Sequence, residues 1–286
     1  MAQMKMGTTA QTYANAEYTF QVNPKNYNIP FSSNHMTTEM PFGKMHLIIG
    51  GGGVATRKIV LTGETYGTDR LTYYNNLAKQ INKNEILRFW VSDTRFYVVK
   101  GKDISQTLQG GRTTFIDYVA GLECVLPYAQ DNPKKQYACA ISNANKTPLS
   151  DAFGSGKFEN AGNAESFIKW TITSFTSSAI TKVEIGDTSD FDTSPHKLVW
   201  NGSLAGGHVL VLPVYSFNVY GTRGTIKELR LSKGEIDGTE SGNSYVEGDN
   251  APWVDAGATD QSFSIKLTGC DAYTEVNAEW YPSYIG

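Results

Sequence analysis

The hydrophobic pattern between Met45 and Tyr128 changes its period twice, and this change restricts the folds open to the chain. Val54 to Thr62 alternates between the two faces of a strand, whereas apolar residues in Thr68 to Asn84 recur every three or four positions. The second spacing places them on one face of a helix. Ile86 to Val91 and Phe96 to Val99 then return to the strand pattern. The pattern predicts a β-barrel or β-sandwich domain with one helix packed across it.

The predicted helix carries a single apolar stripe, which we expect to form its packing face. Thr68 is the expected N-cap, and Asp69 would lie in the positively polarised first turn. The stripe residues that we expect to contact the sheet are Leu71, Tyr74, Leu77 and Ile81.

A long strand is predicted over Thr113 to Leu126, with two chemically different faces. The acidic residues Asp117 and Glu123 lie on one face. The other face is apolar and consists of Ile116, Tyr118, Ala120, Leu122, Cys124 and Leu126.

The length of 286 residues predicts two domains. Residues 1–16 are polar and small and predict a mobile arm, followed by a first domain over 17–131 and a second over 132–286. Turn-forming residues predict a linker over Gln130 to Gly162, although Tyr137 to Ile141 within it could form a short strand.

The second domain is predicted to be an antiparallel β-sandwich, because its strand patterns are separated by loop signals and no helical stretch interrupts them. The acidic, glycine-containing segment Gly234 to Gln261 has no Lys or Arg and predicts a solvated loop region. The seven candidate strands are Phe167 to Ile172, Thr181 to Ile185, Lys197 to Trp200, His208 to Tyr220, Thr225 to Leu231, Ser262 to Leu267 and Val276 to Tyr281.

Several segments together resemble the distal tail proteins of long-tailed, non-contractile viruses. Arg57 to Gly67, the helix, Arg95 to Val99 and Phe115 to Tyr118 resemble the family's N-terminal domain. Phe263 to Gly269, a turn and then Glu275 to Tyr281 resemble the closing strands of its galectin-like second domain.

The resemblance implies a structural virion protein at the tail tip, assembled in the host cytoplasm. It implies a hexameric ring of N-terminal domains, contacting the tail-tube protein, the tape-measure protein and hub or receptor-binding proteins. DNA would pass through the ring without specific binding, since a strongly basic lining would retain its phosphates. The long strand is the candidate for the channel or subunit-contact surface, with Thr113, Phe115, Asp117 and Glu123 as its candidate residues.

Signals for catalysis, cofactors or metals are weak, and we expect none of them. Gly50 to Gly53 lacks the Gly-Lys-Ser/Thr continuation of a phosphate loop. Asp187, Asp190 and Asp192 lack the glycine spacing of a calcium loop. The four dispersed histidines, His35, His46, His196 and His208, have no carboxylate partner at ligand spacing.

The three cysteines, Cys124, Cys139 and Cys270, are too few for a disulfide framework. Reduced, buried thiols are the simpler interpretation, and a disulfide between Cys124 and Cys139 is the alternative. The chain contains no run of about 18 apolar residues, so the sequence predicts no membrane-spanning helix.

A carbohydrate-binding or receptor-binding module is the main alternative function. Exposed aromatic residues can stack on sugar rings, and core or interface packing is the competing role for them. The candidates are Trp200, Tyr245, Trp253 and Trp280. A tail-tube subunit is a further alternative, although it would not need so large a second domain.

Overall fold

The computed structural model describes residues 2–24, 26–28, 58–83, 85–107, 114–124, 126, 128–141, 153–212, 234–247, 252–270 and 273–285. Within these ranges the chain is mainly β, with antiparallel strand pairing and one α-helix, as the sequence predicts. The described residues group into two compact units. The first takes residues up to 132 together with 284 and 285, and the second takes residues 133–283.

The N-terminal unit is built on one antiparallel sheet in the order β2-β1-β5-β6-β7-β4-β3, with β8 paired to β6. Burial alternates along β4 and β7, which is the pattern of strands that cover a core with one face. The strands are β1 (Lys5–Thr8), β2 (Tyr18–Thr19), β3 (Asn26–Asn28), β4 (Lys58–Tyr66), β5 (Ile86–Trp90), β6 (Arg95–Thr107), β7 (Phe115–Cys124) and β8 (Ala129–Asp131).

The helix α1 (Arg70–Ile81) packs against β4, β6 and β7, and is shorter than the predicted range of 68–84. The predicted capping is wrong. Asp69 is the N-cap, without a side-chain hydrogen bond to the helix, and Thr68 lies outside it. The reason is the turn at Gly67, whose φ of 82° ends β4, so that the first helical hydrogen bond runs from Tyr73 N–H to the Asp69 carbonyl.

Part of the segment predicted to be an N-terminal arm pairs with the sheet. Lys5–Thr8 forms β1, which pairs with β5, and the side chain of Met6 is fully buried. Beyond β1, the Tyr13 ring packs edge-on against Trp90 at 6.1 Å, and the Arg88 guanidinium donates to the Gln11 carbonyl at 3.0 Å. The polar composition of this segment does not indicate this pairing, because backbone groups form it.

The C-terminal unit contains two antiparallel sheets, ordered β10-β18-β12-β13-β17 and β16-β15-β14-β11-β19-β9. The strands are β9 (Lys135–Ile141), β10 (Phe153–Phe158), β11 (Ile168–Ser174), β12 (Ile180–Gly186), β13 (Lys197–Leu204), β14 (Val209–Leu212), β15 (Glu235–Ile236), β16 (Thr239–Glu240), β17 (Asn243–Glu247), β18 (Gln261–Thr268) and β19 (Thr274–Trp280). A last strand, β20 (Ser283–Tyr284), belongs to the first sheet, where it pairs with β8.

One hydrophobic core joins the two sheets of this unit, which is therefore a β-sandwich. The core contains the large side chains of Trp170 and Trp280 from one sheet and of Trp200 and Phe263 from the other. Phe158 lies between them, with its ring stacked on Trp280 at a centroid distance of 4.7 Å. Aromatic packing of this kind explains why the sandwich buries most of its tryptophan surface.

Two loop predictions in this half are corrected. The segment predicted as a linker contains β10 and also β9, which covers the short strand left open at Tyr137 to Ile141. β9 pairs with β19 along its length. The acidic segment predicted as a loop contains β15, β16 and β17, and β17 adds an edge to the sheet beside β13. Long-range pairing overrides the local turn signals in both places. The predicted strand Thr225 to Leu231 and residues 213–220 lie outside the described residues.

Candidate contact surface on the N-terminal unit

The strand β7 presents the two faces that its period predicts. Its apolar face is buried in the core, and Leu126 beyond its end is buried as well. On the opposite face, Phe115 is 40% exposed, and Asp117 and Glu123 are partly exposed. Thr113, the fourth predicted site residue, lies outside the described residues.

The neighbouring strand β4 extends this open face in register. Tyr66 pairs with Phe115, Glu64 with Asp117, Thr62 with Val119, Val60 with Gly121 and Lys58 with Glu123. We refer to the side chains of these β4 and β7 residues that point away from the core as the outer strip. Its members are Lys58, Val60, Thr62, Glu64, Tyr66, Phe115, Asp117, Val119 and Glu123.

The outer strip exposes more apolar surface than a solvated strand face normally does. Val60 is 45% exposed, Tyr66 42% and Val119 41%, in addition to Phe115. Tyr66 and Phe115 are directly opposite each other across the strand pair, so two aromatic rings share one end of the strip. Several exposed apolar side chains on one sheet face are typical of a site that another protein covers.

Charges divide the outer strip along its length. Glu64 and Asp117 lie opposite each other near the aromatic end, so that this part is acidic. At the other end, Glu123 lies between Lys58 of β4 and Lys100 of β6 in the sheet register. Apolar, acidic and basic side chains therefore occur together along the outer strip. This mixture is typical of a specific protein contact rather than of a catalytic cleft.

The other side of the same two strands is packed closely against the core. An ideal Cβ at Gly63 of β4 would lie 2.4 Å from the Tyr118 hydroxyl oxygen, so the glycine makes room for that ring beneath the strand. Burial raises the pKa of Tyr118, which keeps the phenol neutral inside the core. The helix lies on this side of the sheet, where Leu77 and Ile81 are buried.

The predicted helix stripe is only partly a packing face. Tyr74 is half-buried against the core beside Leu77 and Ile81. Leu71, by contrast, is 57% exposed and does not pack as predicted. The apolar stripe contacts the core only in the last turns of α1, and the first turn of the helix lies beyond the core. Gln80, which the apolar pattern did not include, is buried instead and donates to the Glu17 carboxylate at 2.8 Å.

Each of the two histidines that the structure describes lies beside a carboxylate, which their spacing in the sequence does not indicate. The Nδ1 atom of His196 lies 2.6 Å from Oδ2 of Asp187, and that of His208 lies 2.6 Å from Oδ2 of Asp237. Each pair joins residues on separate segments that the strand pairing brings together. His35, His46 and the Gly50 to Gly53 run lie outside the described residues.

Other candidate groups do not assemble into a metal centre within the described part of the chain. Asp187 is held by His196, and Oδ1 of Asp190 accepts the Asp192 backbone N–H within the same loop. The three cysteines are thiols and form no disulfide. Burial raises the pKa of Cys139 to about 11. In the same ranges, no helix has the length and apolar character that a membrane crossing requires.

The tryptophans proposed to stack on sugars are core residues. Trp200 is fully buried, and its Nε1–H donates to the Ser241 carbonyl at 2.9 Å, while Trp253 and Trp280 are also buried. The side chain of Tyr245 lies outside the description. Among the side chains of this unit that the structure describes, the exposed aromatic ones are those of Phe175 and Tyr273, which the sequence pattern did not single out. Their signal was their position in the strand period, because Phe175 follows the outward-facing Thr173 of β11 by two residues and Tyr273 precedes the outward-facing Glu275 of β19 by two.

Comparisons with known proteins give no family assignment. No protein-family model matches the chain, and no curated protein is significantly similar to it in sequence. Among solved structures, the SPP1 Dit protein (gp 19.1), a hub adsorption apparatus protein from phages that infect Gram-positive bacteria, aligns over 97% of this chain and 98% of its own. The sequence identity is 15% and the TM-score 0.43.

Two further solved structures are less similar. An exo-inulinase from Aspergillus awamori aligns over 82% of this chain and 41% of its own, with 10% identity and a TM-score of 0.21. A structure of infectious bursal disease virus, Gx strain, aligns over 100% of this chain and 73% of its own, with 11% identity and a TM-score of 0.14. Similarity at these levels leaves the function to be argued from the residues of the chain itself.

Proposed function

We propose that the chain is a structural component of the tail tip of a long-tailed virus, and that its N-terminal unit assembles into a ring through the outer strip. The observation that carries this proposal is the strip itself, in which Val60, Tyr66, Phe115 and Val119 are each 40–45% exposed on one sheet face. The resemblance of the strands around it to distal tail proteins supports the same function. A hexameric ring is the assembly that this resemblance implies.

The composition of the outer strip favours a subunit contact over a channel lining. Apolar side chains in a wet channel would stay in contact with water, whereas covering them with a second copy removes that surface from water at a gain of about 25 cal/mol per Å². The strip would contact a different surface of its neighbour, because head-to-tail contacts of one kind generate a ring when their rotation closes. The acidic pair Glu64 and Asp117 then sets the orientation of the neighbour by charge.

In this function, the ring joins the tail tube to the host-adhesion device and leaves a channel for DNA. The partners are other copies of the chain, the tail-tube and tape-measure proteins, and hub or receptor-binding proteins. The DNA slides through without specific contacts, and no reaction is catalysed.

The assembly is tested on the full chain by size-exclusion chromatography with light scattering and by negative-stain electron microscopy over a range of concentrations. The wild-type protein should form a closed oligomer at high concentration. Val119→Asp should reduce assembly strongly, because it places a charge in the centre of the contact, and its melting temperature should stay close to that of the wild type since Val119 points outward.

Phe175→Asp is the matched control, because it introduces the same charge at an exposed apolar position of the other unit. It should assemble as the wild type does. A wild-type protein that stays monomeric at high concentration and shows no rings would refute the assembly. A Val119→Asp variant that assembles normally would refute the role of the outer strip.

A further inference from the structure

A short segment of the C-terminal unit, residues 252–258, is joined by backbone hydrogen bonds to residues 160–166. We call residues 252–258 the strap. Ser166 and Val254 exchange both of their backbone hydrogen bonds, at 2.8 and 3.0 Å, and form an antiparallel bridge. Two further backbone bonds between the segments, at 2.8 and 2.9 Å, continue the contact. The strap is therefore attached through a few bonds that lie outside the strands of the two sheets.

The bridge places two carboxyl groups opposite each other. Glu165 precedes Ser166 and Asp255 follows Val254, so the antiparallel register sets Glu165 against Asp255. Residues in such a position have Cα atoms only about 4.5 Å apart, with their side chains on the same face. Glu165 is half-buried, and Asp255 lies at the exposed rim. Like charges directly opposite each other across paired chains are destabilising.

An imidazole and a third carboxylate lie near this pair. They belong to residues 187–196, between β12 and β13, where Nδ1 of His196 lies 2.6 Å from Oδ2 of Asp187. His196 acts electrostatically on both Glu165 and Asp255, and Asp187 acts on Asp255. The cluster thus combines three carboxyl groups with one imidazole, and it carries net negative charge when all three are ionised.

Glu165 is the member of the pair that retains a proton. Burial, and secondly the charge of Asp255, raise the pKa of Glu165, while His196 partly opposes them. Loss of hydration, and secondly the charge of Asp187, raise the pKa of Asp255, but from a lower ordinary value, 3.8 against 4.5. A protonated carboxyl group has a hydrogen to donate to an ionised carboxylate opposite it, whereas a second ionised carboxylate has none.

We propose that the strap is a pH-sensitive switch, which stays closed while Glu165 carries a proton and opens when Glu165 ionises beside Asp255. Ionisation replaces a donor and an acceptor by two like charges in a half-buried place. The strap responds before the sandwich does, because a short segment outside the main ladders opens more easily than core strands. Opening uncovers Trp253, whose ring packs against Phe167 at a centroid distance of 4.6 Å. The switch lies in the C-terminal unit and is independent of the ring assembly proposed for the N-terminal unit.

The test is hydrogen exchange of the full chain, measured by mass spectrometry between pH 4 and pH 8. Protection of the strap is expressed relative to the unfolded chain at the same pH, so that the intrinsic exchange rate cancels. Wild-type protection should fall as the pH rises, by at most about tenfold per pH unit, the limit for one proton, and should then level off. Glu165→Gln should keep its protection constant, because the amide cannot ionise and still has hydrogens to donate. Peptides from β11 should stay more protected than the strap at every pH.

Asp255→Asn should also weaken the pH dependence, because it removes the like charge opposite Glu165. Asp260→Asn is the matched control, since it removes an exposed carboxylate just beyond the strap, and it should behave as the wild type does. Wild-type protection that does not change with pH, or an equal fall in Glu165→Gln, would overturn the proposal. Loss of protection in β11 to the same extent as in the strap would overturn it as well, because the opening would then be global.

Discussion

Gly101 in β6 lies directly against the carbonyl group of Ile81, the last residue of α1. An ideal Cβ at position 101 would lie 1.9 Å from the Ile81 oxygen and 2.6 Å from its carbonyl carbon. The missing side chain therefore allows the end of the helix to approach the sheet closely enough to bury Leu77 and Ile81. The position of the end of α1 on the sheet therefore depends on the absence of a side chain at Gly101.

Gly101→Ala should destabilise the N-terminal unit by about 1–3 kcal/mol, because the obstructing atoms are backbone and the helix end must shift. Chemical denaturation of the full chain measures the effect. Gly121→Ala in the adjacent strand is the control, since its Cβ would meet only the flexible carboxylate of Asp103 at 2.3 Å. It should cost less than about 1 kcal/mol. Equal losses in the two variants would show that the helix end is not seated on Gly101.

Leu77→Asp should cost more than about 3 kcal/mol, because it places an unpaired charge in a fully buried position of α1. The same substitution at Leu71 should change stability by no more than about 0.5 kcal/mol, since Leu71 is exposed and an acid suits the first turn of a helix. Thermal melting compares the two. Similar melting temperatures would contradict the docking of the helix through its last turn.

Gly242 and Gly238 form a matched pair within the acidic segment. Both have positive φ angles, 72° and 81°, but a Cβ at Gly242 would lie 2.4 Å from the Asn201 carbonyl oxygen, whereas one at Gly238 meets nothing within 4 Å. Gly242→Ala should therefore be about 1–3 kcal/mol more destabilising than Gly238→Ala, which bears backbone strain alone. Urea denaturation measures the difference in stability between the two variants. Equal stability would mean that Gly242 is not packed against the Asn201 carbonyl group.

Glu165 should make the protein less stable as the pH rises. Burial, and secondly the charge of Asp255, raise the pKa of Glu165 above its ordinary value of 4.5, while His196 partly opposes them. Above pH 4.5, the folded protein keeps a proton that the unfolded chain has released, so stability falls as the pH rises through the folded-state pKa.

Glu165→Gln removes this ionisation. The variant should melt at a higher temperature than the wild type at pH 8, and the difference should disappear near pH 4. Glu275→Gln, at an exposed position, is the control and should change the melting temperature little at either pH. A Glu165→Gln variant that is less stable than the wild type at pH 8 would show that the carboxylate is stabilised in the fold.

The sequence by itself determined the features that depend on periodicity. The two faces of β7, the helix between β4 and β5, and the antiparallel strands of the second half all follow from the spacing of apolar residues, because burial repeats with the geometry of each element. The mainly β fold with one helix was predictable for the same reason. The open face of β7, with Phe115 and Asp117, was predictable as a surface.

Only the tertiary structure decided how distant segments cover one another. The docking of β1 on β5, the strands within the acidic segment and the burial of Trp200 depend on pairings between residues far apart in the chain, and local composition does not encode these pairings. For the same reason Leu71 is exposed and Leu77 is buried, although both lie on one face of the helix. That face contacts the core at its C-terminal end and solvent at its N-terminal end. Exposure of Phe175 and Tyr273 is decided in the same way, because a period assigns a side chain to a face and only the packed neighbours determine whether that face is covered.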